Sequence, residues 1–448
     1  MNEKLEKFKK EMRGKTVALL GLGISNRAAA KFLTALGAEV FALDQKDTES
    51  SVLDEMTALG VKIFKVNDFY GVDADIVLRS PGIRPDAVST RGALSSEMEI
   101  FTSLCPCPIY AVTGSDGKTT TTTVISKMLE AEFDGTRRRV WLGGNIGNPL
   151  ICELDSIRCD DVCVLELSSF QLMTMDFSPR VAVVTNISPN HLNWHTSMDE
   201  YTAAKKRIFE RQRRDCRLVI NADNEITSSF YPLARGEVRT FSSRGAGDAT
   251  ISGGAISICG RKIIELEQIK LPGRHNAENF MAAFLAVDGT VSDDNMRKIA
   301  RDFSGVEHRL QTVCTRDGVR FINSSIDTSP TRTRAALSSF DNKVILIVGG
   351  YDKQIPPEPL MEPIMAHTKA VFCTGDTGEK IYKMMKNALY GGKIELIPDF
   401  DTAVLSAAKY AREGDTVLLS PAAASFDKFK NFEERGHRFA ELVSNSKI

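Results

Sequence analysis

The sequence predicts an α/β protein of three domains, each a mostly parallel sheet covered by helices. Three observations carry that expectation. Short β-branched runs alternate with amphipathic stretches along most of the chain. A proline-bearing connector, "LCPCPIY", separates one such series from the next, and a third begins after "GVEHRL". The length of 448 residues, 42% of them hydrophobic, exceeds what a single core organises.

The elements follow in order. From Lys15, "KTVALLGLG" reads as a strand, "NRAAAKFLTALG" as a helix and "AEVFALD" as a strand, which is a βαβ unit. Past the connector, "IYAVTG", "DVCVLEL", "RVAVVTNI" and "RLVINAD" alternate with helical segments, the pattern of a sheet buried on both faces. From about Gly245 to Leu271 the texture is glycine-rich with short β-like pieces, and a small antiparallel patch is expected there. The third series runs "VRFINSS", "KVILIVGG", "KAVFCTG", "KIELIPD" and "TVLLSP", and ends in a polar helix from about Phe426. The breaks fall near Cys107 and Val306, giving segments 1–106, 107–305 and 306–448.

Composition narrows the function. A net charge of -1 provides no global field to attract nucleic acid or an anionic membrane. The start, "MNEKLEKFKKEMRGK", has no apolar core of a signal, and no apolar run reaches the roughly 18 residues of a membrane span. A cytoplasmic protein, without nucleic-acid or membrane partners, is expected. Its nine cysteines include one Cys105-x-Cys107 pair and no CxxC, so reduced and mostly buried thiols are expected.

The stretch "AVTGSDGKTTTTT" carries the strongest chemical signal. A full phosphate-binding loop reads GxxxxGK[ST], but Val112 stands at its first glycine, leaving Gly114-x-x-Gly117-Lys118-Thr119. The mechanics survive that loss. A strand ends at Thr113, two glycines let backbone N–H groups converge, Lys118 adds positive charge, and Thr119 offers a hydroxyl for Mg²⁺. A helix starting at Thr119 aims its positive end at the same point. An ordinary glycine turn has a similar composition, but the GK[ST] context favours phosphate. The earlier turn Gly21-Leu22-Gly23-Ile24-Ser25-Asn26 lacks the third glycine of a dinucleotide fingerprint, although Asp44 stands 21 positions after Gly23, where an acid can take ribose hydroxyls. Two nucleotide-like sites point to a nucleotide-tagged substrate plus a triphosphate.

These residues resemble the ATP-dependent Mur ligases of peptidoglycan synthesis, over nearly the whole chain. The shortened TGxxGKT loop is shared, at Thr113 to Thr119. "SPGI" at Ser80, "GGNIG" at Gly143, "LELSSFQL" at Leu165, "LPGRHNAEN" at Leu271, "HRLQ" at His308, "GGYDK" at Gly349 and "LLSPAAASFDKFKNFEERG" at Leu418 resemble the D-glutamate-adding branch. The resemblance implies a Rossmann-like N-terminal domain, a central P-loop ATPase-like domain and a Rossmann-like C-terminal domain. It implies a monomer that phosphorylates the carboxylate of UDP-N-acetylmuramoyl-L-alanine with ATP, through an acyl phosphate, and joins D-glutamate to it. Another amide ligase of the same fold, or a nucleotide-binding homologue without turnover, stays open as an alternative.

The same resemblance assigns residues. Gly114, Ser115, Asp116, Gly117, Lys118, Thr119 and Thr120 would hold ATP, with Asn276 and Asn279 at the base, Arg309 at the γ-phosphate and Ser324 nearby. Thr119, Glu166, His191 and a carbamylated Lys205 would hold two Mg²⁺ ions, and Lys118, Lys205 and His191 would be catalytic. On the helix "DEYTAAKKRIFE", Tyr201, Lys205 and Ile208 share one face while Lys206 turns away, so Lys205 is a lysine on an apolar side that must lose its proton or be modified near cations. Ile24, Ser25, Asp44 and Gly82 would take the UDP moiety, Asn145 the muramoyl part, and Thr328, Lys353, Ser425 and Phe432 the D-glutamate.

The chain also departs from the family pattern. Asp116 replaces the usual Asn of the loop, DHxDxH reads Asn190-His191-Leu192-Asn193-Trp194-His195, and the NDS aspartate is Ser324, followed by Ile326 and Asp327. A carboxylate among phosphates repels them unless screened. A weakened grip on ATP is the expected consequence of losing the NDS aspartate.

Overall fold

A computed structural model describes residues 2–48, 50–192, 194–340, 342–352 and 355–445, apart from the side chain of Ser51. The chain forms two compact units, Met1–Phe303 and Ser304–Ile448. The first unit carries two large sheets. One has five parallel strands in the order Lys62–Lys65, Glu39–Asp44, Thr16–Leu20, Ile76–Arg79, Ala93–Ser95. The other has nine, in the order Arg261–Glu265, Ala255–Ile258, Ala249–Ser252, Glu237–Ser242, Arg217–Asn221, Val181–Val184, Ile109–Thr113, Val162–Glu166, Val140–Gly144.

Within the nine-stranded sheet only the first three strands pair antiparallel, and they form the patch expected between Gly245 and Leu271. The parallel part owes its position to sequence runs that are apolar on both faces. Every residue of "IYAVT" and "VAVV" is buried. The Ile109–Thr113 strand lies between Val162–Glu166 and Val181–Val184; the chain leaves it toward the edge strand Val140–Gly144 and leaves the adjoining Val162–Glu166 in the opposite direction, across to Val181–Val184. Parallel sheets bind ligands beyond the carboxyl ends of their strands at such a reversal. Two helices cover it: Lys118–Phe133 buries Val124, Ile125, Met128 and Leu129, and Arg274–Val287 is buried along almost its whole length.

The second unit holds six strands in the order Gln311–Arg316, Val319–Asn323, Thr416–Leu419, Val344–Gly349, Thr368–Thr374, Lys393–Leu396, antiparallel only at the first pair. Its central strand, "VILIVG", is wholly buried. The α/β class and the three sheet-forming series hold. One boundary moves: the last helix is Phe432–Asn445, not a helix from about Phe426. Asn431 Oδ1 accepts the Glu434 N–H at 2.8 Å while Glu434 Oε2 accepts the Lys430 N–H at 2.7 Å, a reciprocal cap that fixes the start. The loop helix likewise begins at Lys118 rather than Thr119. No helix among the described residues is long and apolar enough to cross a membrane.

Candidate functional site

The turn after the Ile109–Thr113 strand is held open by two glycines. Gly114 has φ 152° and Gly117 φ 77°, and a Cβ on either would run into Thr185 Oγ1 or Asn279 Oδ1 respectively. Only glycine fits. Ser115 N–H donates to Asn186 O at 2.8 Å, and Ser115 Oγ contacts Ser188 O at 3.0 Å and Tyr201 Oη at 3.0 Å. Asp116 N–H donates to Asn186 Oδ1 at 3.0 Å and its carbonyl accepts from Thr185 Oγ1 at 2.6 Å, while the residue itself is exposed. Gly117 brings no capping side chain to the Lys118–Phe133 helix, whose first turn holds Lys118, buried Thr119 and half-buried Thr120. A helix end with this geometry is suited to cradle a phosphate.

Two ammonium groups point at that cradle. Lys118 Nζ donates to Gly114 O at 3.0 Å and Ser115 O at 2.9 Å, and Lys205 Nζ donates to the same Gly114 O at 2.7 Å. Lys205 is 1% exposed, on the Met198–Glu210 helix beside buried Tyr201 and Ile208, as its spacing predicts. Burial, and then the Lys118 charge, hold its pKa well below the ordinary lysine value, although Glu166 and Asp116 oppose the shift. An ammonium so placed favours the neutral amine.

Oxygen donors stand alongside. Glu166, at the end of its strand, is 2% exposed, and its two oxygens accept from Thr119 Oγ1 at 2.6 Å and Asn145 Nδ2 at 2.7 Å. Asn145 therefore faces Glu166. His191 is exposed in a left-handed backbone conformation, φ 55°. Partial desolvation, then Lys118 and Lys205, keep its imidazole below the usual value, so it is a neutral nitrogen donor near neutral pH. Glu166, Thr119 and His191 supply hard and borderline donors that fit a divalent ion such as Mg²⁺. Asn193 lies outside the described residues.

A network that the sequence reading did not single out supports this side of the site. Arg84 donates to both carboxylate oxygens of Glu200, at 2.9 and 3.1 Å, and its guanidinium lies 5.1 Å from the Trp194 ring centroid. Glu200 Oε1 meets His195 Nδ1 at 3.0 Å, and His195 Nε2 meets Ser169 Oγ at 2.9 Å. Arg84 holds the Glu200 carboxyl down at about 2. The one legible sign was Ser197-x-x-Glu200, a capping-box pattern: Ser197 does cap the helix, accepting the Glu200 N–H at 3.1 Å, but the glutamate side chain goes to the arginine. Arg79, 1% exposed, donates to Phe170 O and Thr174 Oγ1, both at 2.9 Å.

The remaining predicted residues fall in several places. Asn276 and Asn279 are buried in the Arg274–Val287 helix: Asn276 Nδ2 donates to Pro272 O at 2.7 Å, and Asn279 Oδ1 accepts from Thr121 Oγ1 at 3.3 Å against Gly117. Asn279 thus braces the loop. In the five-stranded sheet, Ile24 is exposed and Ser25 half-buried, Asp44 accepts from Leu22 N–H and Lys46 N–H at 2.9 Å each, and Gly82 O accepts from Trp194 Nε1 at 3.0 Å.

In the second unit Ser324 Oγ accepts the Leu310 N–H at 3.2 Å, beside Arg309. Asp327 N–H donates to Ser324 O at 2.9 Å, and its carboxyl accepts from Ser420 Oγ at 2.8 Å; burial pushes its pKa up against hydrogen bonds from Ser324 and Ser420. The two departures are therefore partners. Thr328, Ala422 and Ala423 line one small cleft, with Ala422 strained at φ 58°, and buried Ser425 follows them. Phe432 opens the last helix, its carbonyl accepting from Ser325 Oγ at 2.8 Å. Lys353 lies outside the described residues.

Comparison with known proteins agrees with this geometry. The chain matches the Mur ligase middle domain over residues 112–287 and the Mur ligase glutamate ligase domain over residues 308–423. It is 46% identical to the UDP-N-acetylmuramoylalanine--D-glutamate ligase of Ruminiclostridium cellulolyticum, covering 100% of both chains. It is 45% identical to that of Acetivibrio thermocellus, covering 99% of each. Among solved structures it resembles the UDP-N-acetylmuramate-alanine ligase MurC of Thermotoga maritima, at a TM-score of 0.56 and 22% identity over 97% of this chain and 100% of that one. It also resembles the MurF ligase of Thermotoga maritima in complex with ADP, at 0.52 and 17% identity over 98% and 97%. With its phosphate loop, buried lysine and paired departures all accommodated in that framework, the chain belongs to the Mur ligase family.

Proposed function

We propose that this chain is an ATP-dependent ligase that adds D-glutamate to the carboxyl end of UDP-N-acetylmuramoyl-L-alanine in peptidoglycan precursor synthesis. One observation carries the reading: Lys118 and Lys205 converge on one carbonyl, beside Glu166 and Thr119, at the tip of a glycine-opened helix. Relatives 45–46% identical over 99–100% of their length support the choice of substrates.

In this reading segment 1–106 holds the UDP moiety, 107–305 holds ATP, and 306–448 holds D-glutamate, in a cytoplasmic monomer. Residues Gly114 to Thr120 take the phosphates, with Lys118 offsetting the charge that builds on the transferring phosphoryl group. Glu166, Thr119 and His191 would hold Mg²⁺, two ions in all, which supply Lewis-acid stabilisation when bound. Lys205, favoured as a neutral amine, attacks CO₂; a nitrogen–carbon bond forms, one proton leaves to solvent, and the neutral neighbour of Lys118 becomes a carbamate anion that would serve as a further oxygen donor. The substrate carboxylate accepts the γ-phosphoryl group of ATP with ADP leaving, and the neutral amino group of D-glutamate then attacks the acyl carbon, releasing inorganic phosphate and a proton as the amide forms. Arg309 and Ser324 serve the nucleotide, and Thr328, Lys353, Ser425 and Phe432 the amino acid.

Phosphate release measured with ATP, Mg²⁺ and UDP-N-acetylmuramoyl-L-alanine tests this. Release is expected with D-glutamate and not with L-glutamate or without amino acid. Release that is indifferent to the amino acid would refute the reading.

A further inference from the structure

Three thiols meet on the strands that lead to the site. Cys105 and Cys107 stand on the connector entering the Ile109–Thr113 strand, and Cys163 on the adjoining Val162–Glu166 strand. Their Sγ atoms form a closed triangle, 3.6 Å between Cys105 and Cys107 and 3.5 Å from each of them to Cys163. Exposure is 8%, 7% and 0%. Pro106 and Pro108 stiffen the connector, Cys163 N–H donates to Pro108 O at 3.0 Å, and the alternation of an extended chain puts residues 105 and 107 on the same side.

We propose that this triangle is a three-coordinate thiolate site for one soft, thiophilic cation of the class of Cd(II) or Cu(I). At about 2.3 Å from each sulfur, the distance of a zinc thiolate, an ion sits about 1 Å out of the plane of three sulfurs with these separations, and the larger Cd(II) sits farther out, so the sulfurs need hardly move. Thiolates select soft cations over Mg²⁺, which keeps the site apart from any hard ion held by Glu166. Among the described residues no further His, Cys, Asp or Glu side chain joins the three sulfurs. The acid whose charge reaches Cys107 is Asp161, and its oxygens already accept from Arg139 N–H, Arg158 N–H, the Arg158 guanidinium and Trp141 Nε1 at 2.9–3.1 Å.

Binding forms three sulfur–metal bonds and releases the thiol protons still present to solvent. The connector side, where Cys105 and Cys107 keep slight exposure, is the way in. Simple packing of three small thiols is the competing account.

The test titrates the reduced full-length chain with Cd(II), without oxygen and with Mg²⁺ in excess. A thiolate-to-cadmium charge-transfer absorbance should saturate at one equivalent, with proton release. It should persist when the exposed cysteines are replaced, Cys152→Ser, Cys159→Ser and Cys259→Ser, and weaken at least tenfold in affinity with Cys107→Ser. No absorbance at one equivalent, or a titration unchanged by Cys107→Ser, overturns the proposal. Should Cys107→Ser fail to fold, the cadmium-113 NMR shift of the parent decides: three sulfur ligands support the site, oxygen or nitrogen ligands refute it.

Discussion

Lys118 and Lys205 donate to one carbonyl, and their repulsion falls on the lysine that burial has already made costly to charge. Glu97 shows the same physics in an acid. It is 2% exposed, its Oε1 has no hydrogen-bond partner among the described residues, and burial pushes its pKa from 4.5 up to about 8. Below 4.5 both folded and unfolded chains hold the proton. Between 4.5 and 8 only the folded chain does, so stability falls as pH rises across that window and levels off above it. Glu97→Gln removes this loss. Melting curves at pH 5.5 and 8.5 should show the variant gaining on the parent as pH rises, by on the order of a few kcal/mol at the upper end. Parallel pH profiles would contradict the assignment. Ser324 and Asp327 make a second case. The segment still carries a carboxyl group, three residues late, so Ser324→Asp alone sets two acids side by side and should lower stability. Joined with Asp327→Ala it should lower the KM for ATP at least severalfold, and an unchanged KM would remove the argument that the serine weakens the grip on nucleotide.

The loop and its helix behave as one element. Gly117 is pinned by its positive φ and by Asn279, so Gly117→Ala should raise the KM for ATP at least tenfold through the backbone rather than through lost charge. Adding Asn279→Ala removes the clash but not the strain, and should recover part of that loss; no recovery would show that Asn279 does not brace the loop. Strands and the cradle were legible because their signals are local: "VAVV" and "VILIVG" need both faces buried, and GK[ST] follows directly on a strand. Asn145 and Asn279 were not legible as partners of Glu166 and Gly117, because those contacts depend on which strands and helices become neighbours. The last helix was set too early since the apolar spacing of "SFDKFKNF" imitates a helix, whereas the backbone bridge from Tyr351 N–H to Ala424 O and the Asn431 cap keep those residues irregular.

In the first unit the phosphate loop and Glu166 sit at the ends of strands, Lys205 and Asn279 come from covering helices, and long-range contacts hold them together. Within the first unit, Arg79 at the end of its strand and Arg84 just beyond it reach to Phe170, Thr174, Trp194 and Glu200, joining the five-stranded sheet's end to the loop that carries His191. Isolated arginines and a capping glutamate give no such hint in sequence, so this half of the site's support had to be seen. The central claim concerns where the triphosphate lies. A crystal structure of the full chain with Mg²⁺ and a non-hydrolysable ATP analogue should place the β- and γ-phosphates within hydrogen-bond distance of the Gly117 to Thr119 N–H groups and Lys118 Nζ. A triphosphate bound with no contact to that loop would contradict the account.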